Sequence, residues 1–304
     1  MKPQQTTDGI LVVNKPKGMT SFDVVAKIRK KFSQKKVGHA GTLDPSVEGV
    51  LVIALGKATK LIDELQTRPK TYIGEISLGF STETEDLDGD IVEKISITQP
   101  FTDQKIDAAM ASLNGNIIQV PPMYSAVKVA GRRLYEYARS GEYIERPQRD
   151  ATIYDYHRTS ATTLEDDVQK FSFVAQVSKG TYIRTLAVDT GNVLQIPATM
   201  SYLKRVSGSG FGIDQAYDLA DIIATSDTEL RQLVVPISDV LTWSQHNLSQ
   251  DEWFKVKNGQ KISIDDWPAN EEPKMLYFNS ELKAVYVFDH DKLLWRSRYV
   301  FSNE

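Results

Sequence analysis

The stretch Gly38–Pro45 constrains the fold of this 304-residue chain more than any other, because it suits neither helix nor strand. It reads GHAGTLDP, and two glycines, a histidine, a threonine and an aspartate so close together are typical of a shaped loop. The apolar run Val50–Leu55 follows and ends at Gly56, which predicts a buried strand. The chain must therefore hold a polar loop rigidly beside a buried strand, an arrangement typical of functional sites.

Asp44 is the acid that this loop is expected to present. Pro45 disfavours the helical region for the residue before it, so the Asp44 carboxylate should project from a turn. An aspartate before proline and beside glycines is also a common turn former, and a purely structural role is the alternative. The sequence around the loop is needed to distinguish a functional carboxylate from a turn former.

The composition is that of an ordinary globular protein in a reducing compartment. The chain has no cysteine, which excludes disulfides and thiolate metal sites. The polar start Met1–Asp8 has no apolar signal core, and no run approaches the roughly 18 to 20 apolar residues of a membrane span. We therefore expect a cytoplasmic protein without a membrane segment.

A basic run directly precedes the loop, although the chain as a whole carries a formal net charge of -4. Such a run is often only a solvated helix face. Beside a candidate site on an acidic chain, however, it has the sign needed to attract phosphate groups. The predicted RNA-backbone contacts in this run are Lys27, Arg29, Lys30, Lys31, Lys35 and Lys36.

The residues before this run predict a strand, a turn and a helix. Ile10–Val13 is a short strand candidate, and Thr20 or Ser21 is a natural N-cap for the helix that follows. Helical spacing predicts that one face of this helix carries Phe22, Val25, Ile28 and Phe32.

Two later strands bring further candidate residues to the site. Lys70–Phe80 alternates as a strand, and its Tyr72 lies either in the core or on the wall of a cleft. Phe171–Val177 also alternates, and Arg184 follows it just before a helix. An arginine in this position is either a surface charge or the partner that keeps a buried carboxylate ionised.

Prolines, aromatic residues and basic residues interleave between Gln119 and Arg139, which is typical of a segment that stacks on and neutralises nucleic acid. An exposed helix with tyrosines packed beneath it is the alternative. The predicted RNA-backbone contacts here are Lys128, Arg132 and Arg133. Further on, Pro236–Trp243 reads as a boundary, after which the chain becomes β-rich.

The residue inventory leaves carboxylate chemistry at Asp44. The four histidines are scattered and form no paired i,i+4 motif, so no metal site is expected, and no glycine-rich phosphate loop occurs. Asp44 and Glu48 could be the acid and nucleophile of a glycoside-cleaving enzyme. Alternatively, Asp44 alone is a covalent nucleophile that works on a base stacked against an aromatic ring. The basic run favours the second mechanism.

Six segments in the same order resemble the TruB family of bacterial pseudouridine synthases, which act on uridine 55 of tRNA. The similarity covers essentially the whole chain up to about residue 240 and, more weakly, the remainder. The segment Val47–Gly49 departs from the Ala-Thr-Gly of many relatives. The similar segments are Lys15–Ser21, Gly38–Leu51, Lys70–Tyr72, Thr82–Gly89, Val120–Ala126 and Ser178–Thr185.

The resemblance implies an α/β (α+β) pseudouridine synthase fold. Its mixed, mostly antiparallel sheet would surround a central cleft, and a small β-rich, PUA-like domain would follow. The implied catalytic domain is residues 1–240, with an RNA-contacting insertion at about 120–150, and the PUA-like domain is residues 241–304.

The resemblance also implies roles for individual side chains. Asp44 would be the nucleophile, Tyr72 would stack on the target uracil, and Arg184 would pair with Asp44. Leu203 would close the apolar side of the pocket, and His39 would occupy the space that flipped T-loop bases leave. The substrate site would be completed by Lys15 and Asp86.

The implied activity is the isomerisation of uridine to pseudouridine after base flipping, without a metal or organic cofactor. The partner would be the T stem-loop of tRNA, and the enzyme would act as a monomer with no protein partner. The alternative is a tRNA-binding or folding factor that flips bases without isomerising them.

Overall fold

The computed structural model describes residues 6–304. Its strands are β1 (Gly9–Lys15), β2 (Val37–His39), β3 (Glu48–Leu55), β4 (Lys70–Leu78), β5 (Phe80–Thr82), β6 (Ile91–Lys94), β7 (Gly115–Gln119), β8 (Lys128–Val129), β9 (Arg132–Arg133), β10 (Arg149–Arg158), β11 (Thr163–Glu165), β12 (Val168–Val177), β13 (Ala198–Gly208), β14 (Phe211–Gly212), β15 (Tyr217–Asp218), β16 (Ser244–Asn247), β17 (Ile262–Ser263), β18 (Lys274–Phe278), β19 (Glu281–Asp289) and β20 (Leu294–Val300). Its α-helices are α1 (Ser21–Lys31), α2 (Ile62–Thr67), α3 (Asp103–Ala111), α4 (Leu134–Ser140), α5 (Ile183–Leu194), α6 (Leu219–Ala224), α7 (Asp227–Leu230), α8 (Ile237–Val240) and α9 (Gln250–Lys257). Its 3₁₀ turns are Gly56–Leu61, Ile213–Gln215 and Arg231–Leu233.

The main sheet runs through residues 9–218 in the order β15-β1-β3-β13-β4-β12-β10-β7. Strands β2, β14 and β11 pair with β3, β13 and β12 beside this path. Most neighbours are antiparallel, whereas β1 with β15 and β3 with β13 are parallel. The prediction of a mixed, mostly antiparallel sheet is confirmed.

Strand β3 is buried on both faces, as its unbroken apolar sequence predicts. One core cluster contains Leu51, Ile53 and Leu55. A second cluster, on the other face, contains Val50, Val52 and Ala54. The second cluster also contains Met275, Val285 and Phe301 from the C-terminal sheet. The strand that follows the candidate loop is therefore held from two sides.

Helix α1 begins with a capping box in which the Thr20 hydroxyl accepts from the Asp23 amide and the Asp23 carboxylate accepts from the Thr20 amide. The prediction that Phe22 shares the face of Val25 and Ile28 was wrong, because Phe22 is 66% exposed. The buried stripe passes through Ser21 instead, since the Ser21 hydroxyl bonds to the backbone of the candidate loop.

A second sheet lies in the C-terminal part of the chain, with the order β16-β18-β19-β20-β17. Its own core contains Trp253, Trp267 and Trp295. It contacts the first part through Arg298, whose Nη2 atom lies 2.6 Å from Oε2 of Glu64. This sheet is consistent with the expected small PUA-like domain, and the division at residue 240 remains a prediction.

The segment between β7 and β10 contains the short ribbon β8–β9 followed by helix α4. It coincides with the predicted RNA-contacting insertion, whose boundaries stay a prediction. Across the residues that the structure describes, no helix is both long and apolar enough to cross a membrane.

Candidate active site

A cavity of about 320 Å³ lies where the loop after β2 meets β4, β13 and the start of α5. Asp44, Tyr72, Arg184 and Leu203 all line it. These side chains come from four separate segments of the chain, and the sequence analysis expected all four at one site. The fold therefore brings the predicted nucleophile, stacking ring, cation and apolar wall together.

Asp44 faces this cavity and forms an ion pair with Arg184. Its Oδ2 atom lies 3.0 Å from Nη2 of Arg184. The aspartate side chain is 42% exposed, whereas the arginine side chain is only 7% exposed. A buried guanidinium at this distance stabilises the charged carboxylate, while the carboxylate itself stays accessible to a substrate.

The guanidinium of Arg184 is held in place by groups other than Asp44. Its Nε atom lies 3.6 Å from Oδ2 of Asp86, and it donates to the carbonyl oxygens of Thr84 (2.8 Å) and Tyr124 (3.1 Å). Burial raises the pKa of Asp86, while the Thr84 hydroxyl and Arg184 act in the opposite direction. Asp86 thus lies behind the cation as its second partner.

Tyr72 and Leu203 form the buried wall of the cavity. Tyr72 is opposite Arg205 in the pairing of β4 with β13, and Leu203 is two residues before Arg205 on the same strand. Alternate residues share a face of a strand, so the ring and the leucine point to the same side of the sheet. Tyr72 belongs both to the core and to the cavity wall.

Lys15 supports the loop from beneath and does not line the cavity. Its fully buried amine donates to the carbonyl oxygens of Met19 (2.7 Å), Pro16 (3.0 Å) and Pro45 (3.4 Å). Burial lowers the pKa of Lys15 to about 8. Because Pro45 follows Asp44, this lysine ties the first motif of the chain to the backbone next to the candidate nucleophile.

The sequence matches a family model described as TruB family pseudouridylate synthase (N terminal domain) over residues 29–183. The chain is 45% identical over 304 residues to tRNA pseudouridine synthase B of Lactiplantibacillus plantarum, covering 97% of this chain and 99% of the relative. The protein of the same name from Pediococcus pentosaceus is 46% identical, with coverages of 94% and 96%. The chain belongs to the TruB family of pseudouridine synthases.

Solved structures agree with the TruB-family fold. A structure described as a Cbf5-Nop10-Gar1 complex superposes with a TM-score of 0.68 at 24% identity, covering 92% of this chain and 78% of that one. An H/ACA RNP bound to a substrate RNA containing 2′-deoxyuridine gives a TM-score of 0.67 at 22% identity, with coverages of 97% and 85%. At these identities the likeness concerns the fold alone, and it confirms the expected pseudouridine synthase fold.

His39 lies at the end of β2, and it does not line the cavity of this TruB-family chain. Its ring packs edge-on against the Phe22 ring, with the ring centres 5.4 Å apart. Its Nδ1 atom is buried and has no hydrogen-bond partner among the described residues. Burial lowers the pKa of His39, so the imidazole is neutral at neutral pH.

Arg205 is 2% exposed and lines the cavity, and it was not among the site residues predicted from the sequence. Its Nε atom donates to the Val50 carbonyl oxygen at 2.7 Å, Nη2 donates to Gly41 at 3.2 Å and Nη1 donates to Thr42 at 3.4 Å. The guanidinium therefore clamps the loop to β3. The sequence could have identified Arg205, because residues 203 and 205 share a face of one strand and Leu203 was already predicted at the site.

Two glycines allow this close packing. Gly41 has φ = 116°, a conformation that L side chains rarely adopt. At Gly49, an added Cβ atom would lie 2.1 Å from the carbonyl oxygen of Arg205. The two glycines let the loop turn and let β3 approach β13 beside the cavity.

Lys70 is a second cavity residue that sequence reasoning missed. Burial lowers its pKa to about 8, with smaller contributions from Arg205 and Lys179, and its amine donates to the carbonyl oxygens of Gln66 and Arg68. Among the described residues that line the cavity, Asp44 is the one acid, and the cations are Lys70, Lys179, Arg184 and Arg205. The site therefore has the charge to accept a phosphorylated ligand.

The predicted RNA-backbone cations divide by their contacts. Arg29 donates to the Val37 carbonyl oxygen at 2.9 Å and Lys31 to that of Thr225 at 2.6 Å, so both also support the fold. The other cations of the first run, Lys27, Lys30, Lys35 and Lys36, are exposed. On the β8–β9 ribbon, Lys128 and Arg132 are exposed and Arg133 is partly buried, and Arg132 pairs with Glu142 at 2.9 Å.

Glu48 does not line the cavity and does not face Asp44 across it. Its carboxylate accepts a 2.8 Å hydrogen bond from the Tyr202 hydroxyl and lies 3.7 Å from Nζ of Lys204. Burial, and then the bond to Glu48, raise the pKa of Tyr202 to about 12. The two-carboxylate mechanism with Asp44 and Glu48 gains no support from this arrangement.

Residues 6–304 contain no group of three or more histidine, aspartate and glutamate side chains placed to hold a metal ion. His157 lies 3.0 Å from Asp155, and His246 lies 3.0 Å from Glu252. Both pairs lie outside the cavity wall. The polar groups of the cavity are therefore suited to ion pairing and hydrogen bonding.

Proposed function

We propose that this chain isomerises uridine at position 55 in the T loop of tRNA, with Asp44 as the nucleophile. As a TruB-family member it is a pseudouridine synthase, and its relatives at 45% and 46% identity are named for tRNA as their substrate. The observation that carries the residue assignment is the ion pair between exposed Asp44 and buried Arg184 on the wall of the cavity.

The reacting base must leave the folded RNA loop to reach this cavity. Extruding a base from its stack costs a few kcal/mol. Stacking on the Tyr72 ring offsets about 1–3 kcal/mol of that cost, and the Leu203 side chain covers the base from the apolar side. The four cations of the cavity wall attract the phosphates on either side of the everted nucleotide.

The isomerisation breaks the bond between C1′ and N1 of uridine and forms a bond between C1′ and C5. Asp44 forms a transient covalent bond with the nucleotide and is released when the base is rejoined. The proton on C5 leaves and N1 takes up a proton, so the RNA keeps its composition. Arg184 stabilises the carboxylate before attack and again as it departs.

The rival function is a tRNA-binding or folding factor that everts bases without isomerising them. Such a factor needs the cations and the tyrosine of the cavity wall, but it has no use for an acid there. A carboxylate in a site that attracts phosphates weakens binding through like-charge repulsion. The placement of Asp44 beside Arg184 therefore favours an enzyme.

We also propose that the chain acts in the cytoplasm as a monomer, without a protein partner. The absence of cysteine supports a reducing compartment. Sedimentation of the purified chain with and without tRNA tests the monomer, because the complex should then contain one chain for each RNA.

A single assay tests the activity. An unmodified tRNA transcript with tritium at C5 of its uridines is incubated with the wild type, with Asp44→Asn and with Asp63→Asn, an exposed aspartate on α2. The wild type and Asp63→Asn should release tritium and leave the RNA mass unchanged, whereas Asp44→Asn should release none.

A transcript with cytidine at position 55 tests the proposed position, and it should release no tritium above background. Release of free base would reveal a glycoside hydrolase. Tight binding by the wild type without tritium release would reveal the binding factor.

A further inference from the structure

Phe22 is an exposed aromatic ring without a role in the core. It lies on the first turn of α1 with 66% of its surface exposed, although the helix buries Val24, Val25 and Ile28. Exposing a phenyl ring to water forgoes the stabilisation of about 1.5–3 kcal/mol that burial provides. An exposed ring on a turn that is hydrogen-bonded to the cavity loop is therefore a candidate contact for the substrate.

The turn that carries the ring is fixed to the backbone next to the candidate nucleophile. The Ser21 hydroxyl accepts from the Leu43 amide at 2.9 Å and donates to the Leu43 carbonyl oxygen at 3.1 Å. Leu43 directly precedes Asp44, so the turn that carries Phe22 is fastened to the backbone next to the carboxylate. The capping box of Thr20 and Asp23 holds the same turn from the other side.

His39 supports the Phe22 ring from behind. The two ring planes meet at 87°, with the centres 5.4 Å apart, which is the favourable edge-to-face geometry. Since the imidazole is largely buried and neutral, it acts here as an apolar support. The Phe22 ring is thereby held in one orientation, and a flat ligand that stacks on it loses little additional side-chain entropy.

The surroundings select a nucleobase as the ligand for this ring. The outward side of α1 carries Lys27 and Lys30, and Asp23 is its one acid. An aromatic ring among cations is typical of surfaces that bind single-stranded nucleic acid, because bases stack on the ring while cations contact the phosphates. Leu43, to which the turn of Phe22 is bonded, lines the cavity, so the nucleotide next to the reacting uridine is the one closest to this ring.

We propose that Phe22, supported by His39, stacks on a base adjacent to the reacting uridine and holds the RNA loop open. This inference rests on the proposed function and adds a binding subsite to it. The reaction needs the neighbouring bases displaced while the uridine is in the cavity. A ring on a turn that is bonded to the cavity loop stabilises that opened state by stacking.

The test is a cycle between an enzyme variant and a substrate variant. The enzymes are the wild type and Phe22→Ala, and the substrates are a tritiated T stem-loop and two versions with an abasic nucleotide on one or the other side of the reacting uridine. Affinity is measured by the anisotropy of a fluorescent RNA and turnover by tritium release. Because most of the Phe22 ring is exposed and its removal costs mainly the contact with His39, the melting temperature should fall by no more than a few degrees.

On the intact stem-loop, Phe22→Ala should weaken binding or raise KM by about tenfold to a hundredfold, the range expected for one lost stacking contact. On the abasic substrate that lacks the stacked base, the wild type and Phe22→Ala should bind equally. Phe22→Tyr should restore binding, whereas Phe22→Leu should restore little. Phe254→Ala removes a phenylalanine of similar exposure (58%) from α9 and should have no effect.

Two outcomes would overturn the proposal. In the first, the affinity and KM of Phe22→Ala stay within twofold of the wild-type values. In the second, the loss of binding free energy caused by Phe22→Ala is the same on the intact stem-loop and on both abasic substrates. Both differ from a failure of the proposed function, in which the wild type itself releases no tritium. The binding half of the cycle can be read in either case.

Discussion

Nη2 of Arg184 lies 3.0 Å from Oδ2 of Asp44, and this contact joins an almost fully buried cation to an acid that remains open to the cavity. The arginine is fixed from behind by Asp86 and by two backbone carbonyl oxygens. Asp44 can therefore change its bonding during a reaction while its partner stays in place. This asymmetry suits a nucleophile that must attack and then leave.

Replacing Arg184 with methionine should remove turnover while weakening RNA binding far less. The change takes away the cation beside Asp44 and leaves Asp86 buried without its charged partner. We expect kcat to fall by about a hundredfold or more, as when one preorganised donor is lost from an active site. Stability should fall by about 3–5 kcal/mol. Tritium release, RNA anisotropy and urea unfolding measure the three effects, and Arg184→Lys is the charge-matched comparison. Equal losses in kcat and affinity would contradict the assignment.

Replacing Arg205 with methionine should destabilise the protein and slow the reaction together. The guanidinium makes three hydrogen bonds to the backbone of the loop and of β3, and a hydrogen bond to a charged group contributes about 1.5–3 kcal/mol. Arg205→Lys should recover only part of the lost stability and activity, because one ammonium group cannot reach the three carbonyl oxygens that the guanidinium holds. Lys204→Met, at the preceding position, is the control. If Arg205→Met unfolded at the same urea concentration as the wild type, the clamp would be unimportant.

Lys15 should make the stability of the protein depend on pH in the alkaline range. Burial lowers its pKa from 10.5 to about 8, so the unfolded chain binds more protons than the folded chain between these values. Folding stability attributable to Lys15 therefore rises as the pH increases from about 8 to 10.5, by at most about 3 kcal/mol. The measurement is the free energy of unfolding at several pH values for the wild type and Lys15→Met. Lys17→Met removes the next lysine along the chain, and its free energy of unfolding should depend on pH in the same way as that of the wild type.

Glu48→Gln should leave the reaction almost unchanged and shift the titration of Tyr202. The carboxylate lies outside the cavity wall, so tritium release should stay within about threefold of the wild type. Burial and Glu48 together raise the pKa of Tyr202 to about 12, and removing the charge of Glu48 takes away its electrostatic contribution, so that pKa should fall towards its ordinary value of 10. The difference in ultraviolet absorbance between the two proteins above pH 9 reports this shift. A loss of activity comparable with that of Asp44→Asn would revive the two-carboxylate mechanism.

Local pattern was sufficient to predict the elements around the site. Val50–Leu55 reads as a strand buried on both sides, and strand β3 is buried in this way. The strand of Tyr72 and helix α5 also follow from alternation and turn residues, although Arg184 is the second residue of that helix and does not precede it. These features depend on neighbours in sequence, which a pattern reports directly.

Contacts between distant segments were harder to predict. The carbonyl oxygens that Arg205 holds lie more than 150 residues away in sequence, and no local pattern announces them. Phe22 was placed on the wrong side of its helix because Ser21, a polar residue, takes the buried position by bonding to Leu43. A periodic pattern of apolar residues predicts which positions are buried by hydrophobic packing. It does not predict a serine that is buried because its hydroxyl makes hydrogen bonds.

The two-sided burial of β3 links the C-terminal sheet to the chemistry. Val50, Val52 and Ala54 share their cluster with Met275, Val285 and Phe301, so a chain cut after residue 240 would lose part of the apolar packing on this side of the strand. The loop that carries Asp44 would then be anchored to a strand whose core is packed less well on one side. The last sixty or so residues thus support the strand that anchors the catalytic loop, in addition to any contact that they make with RNA.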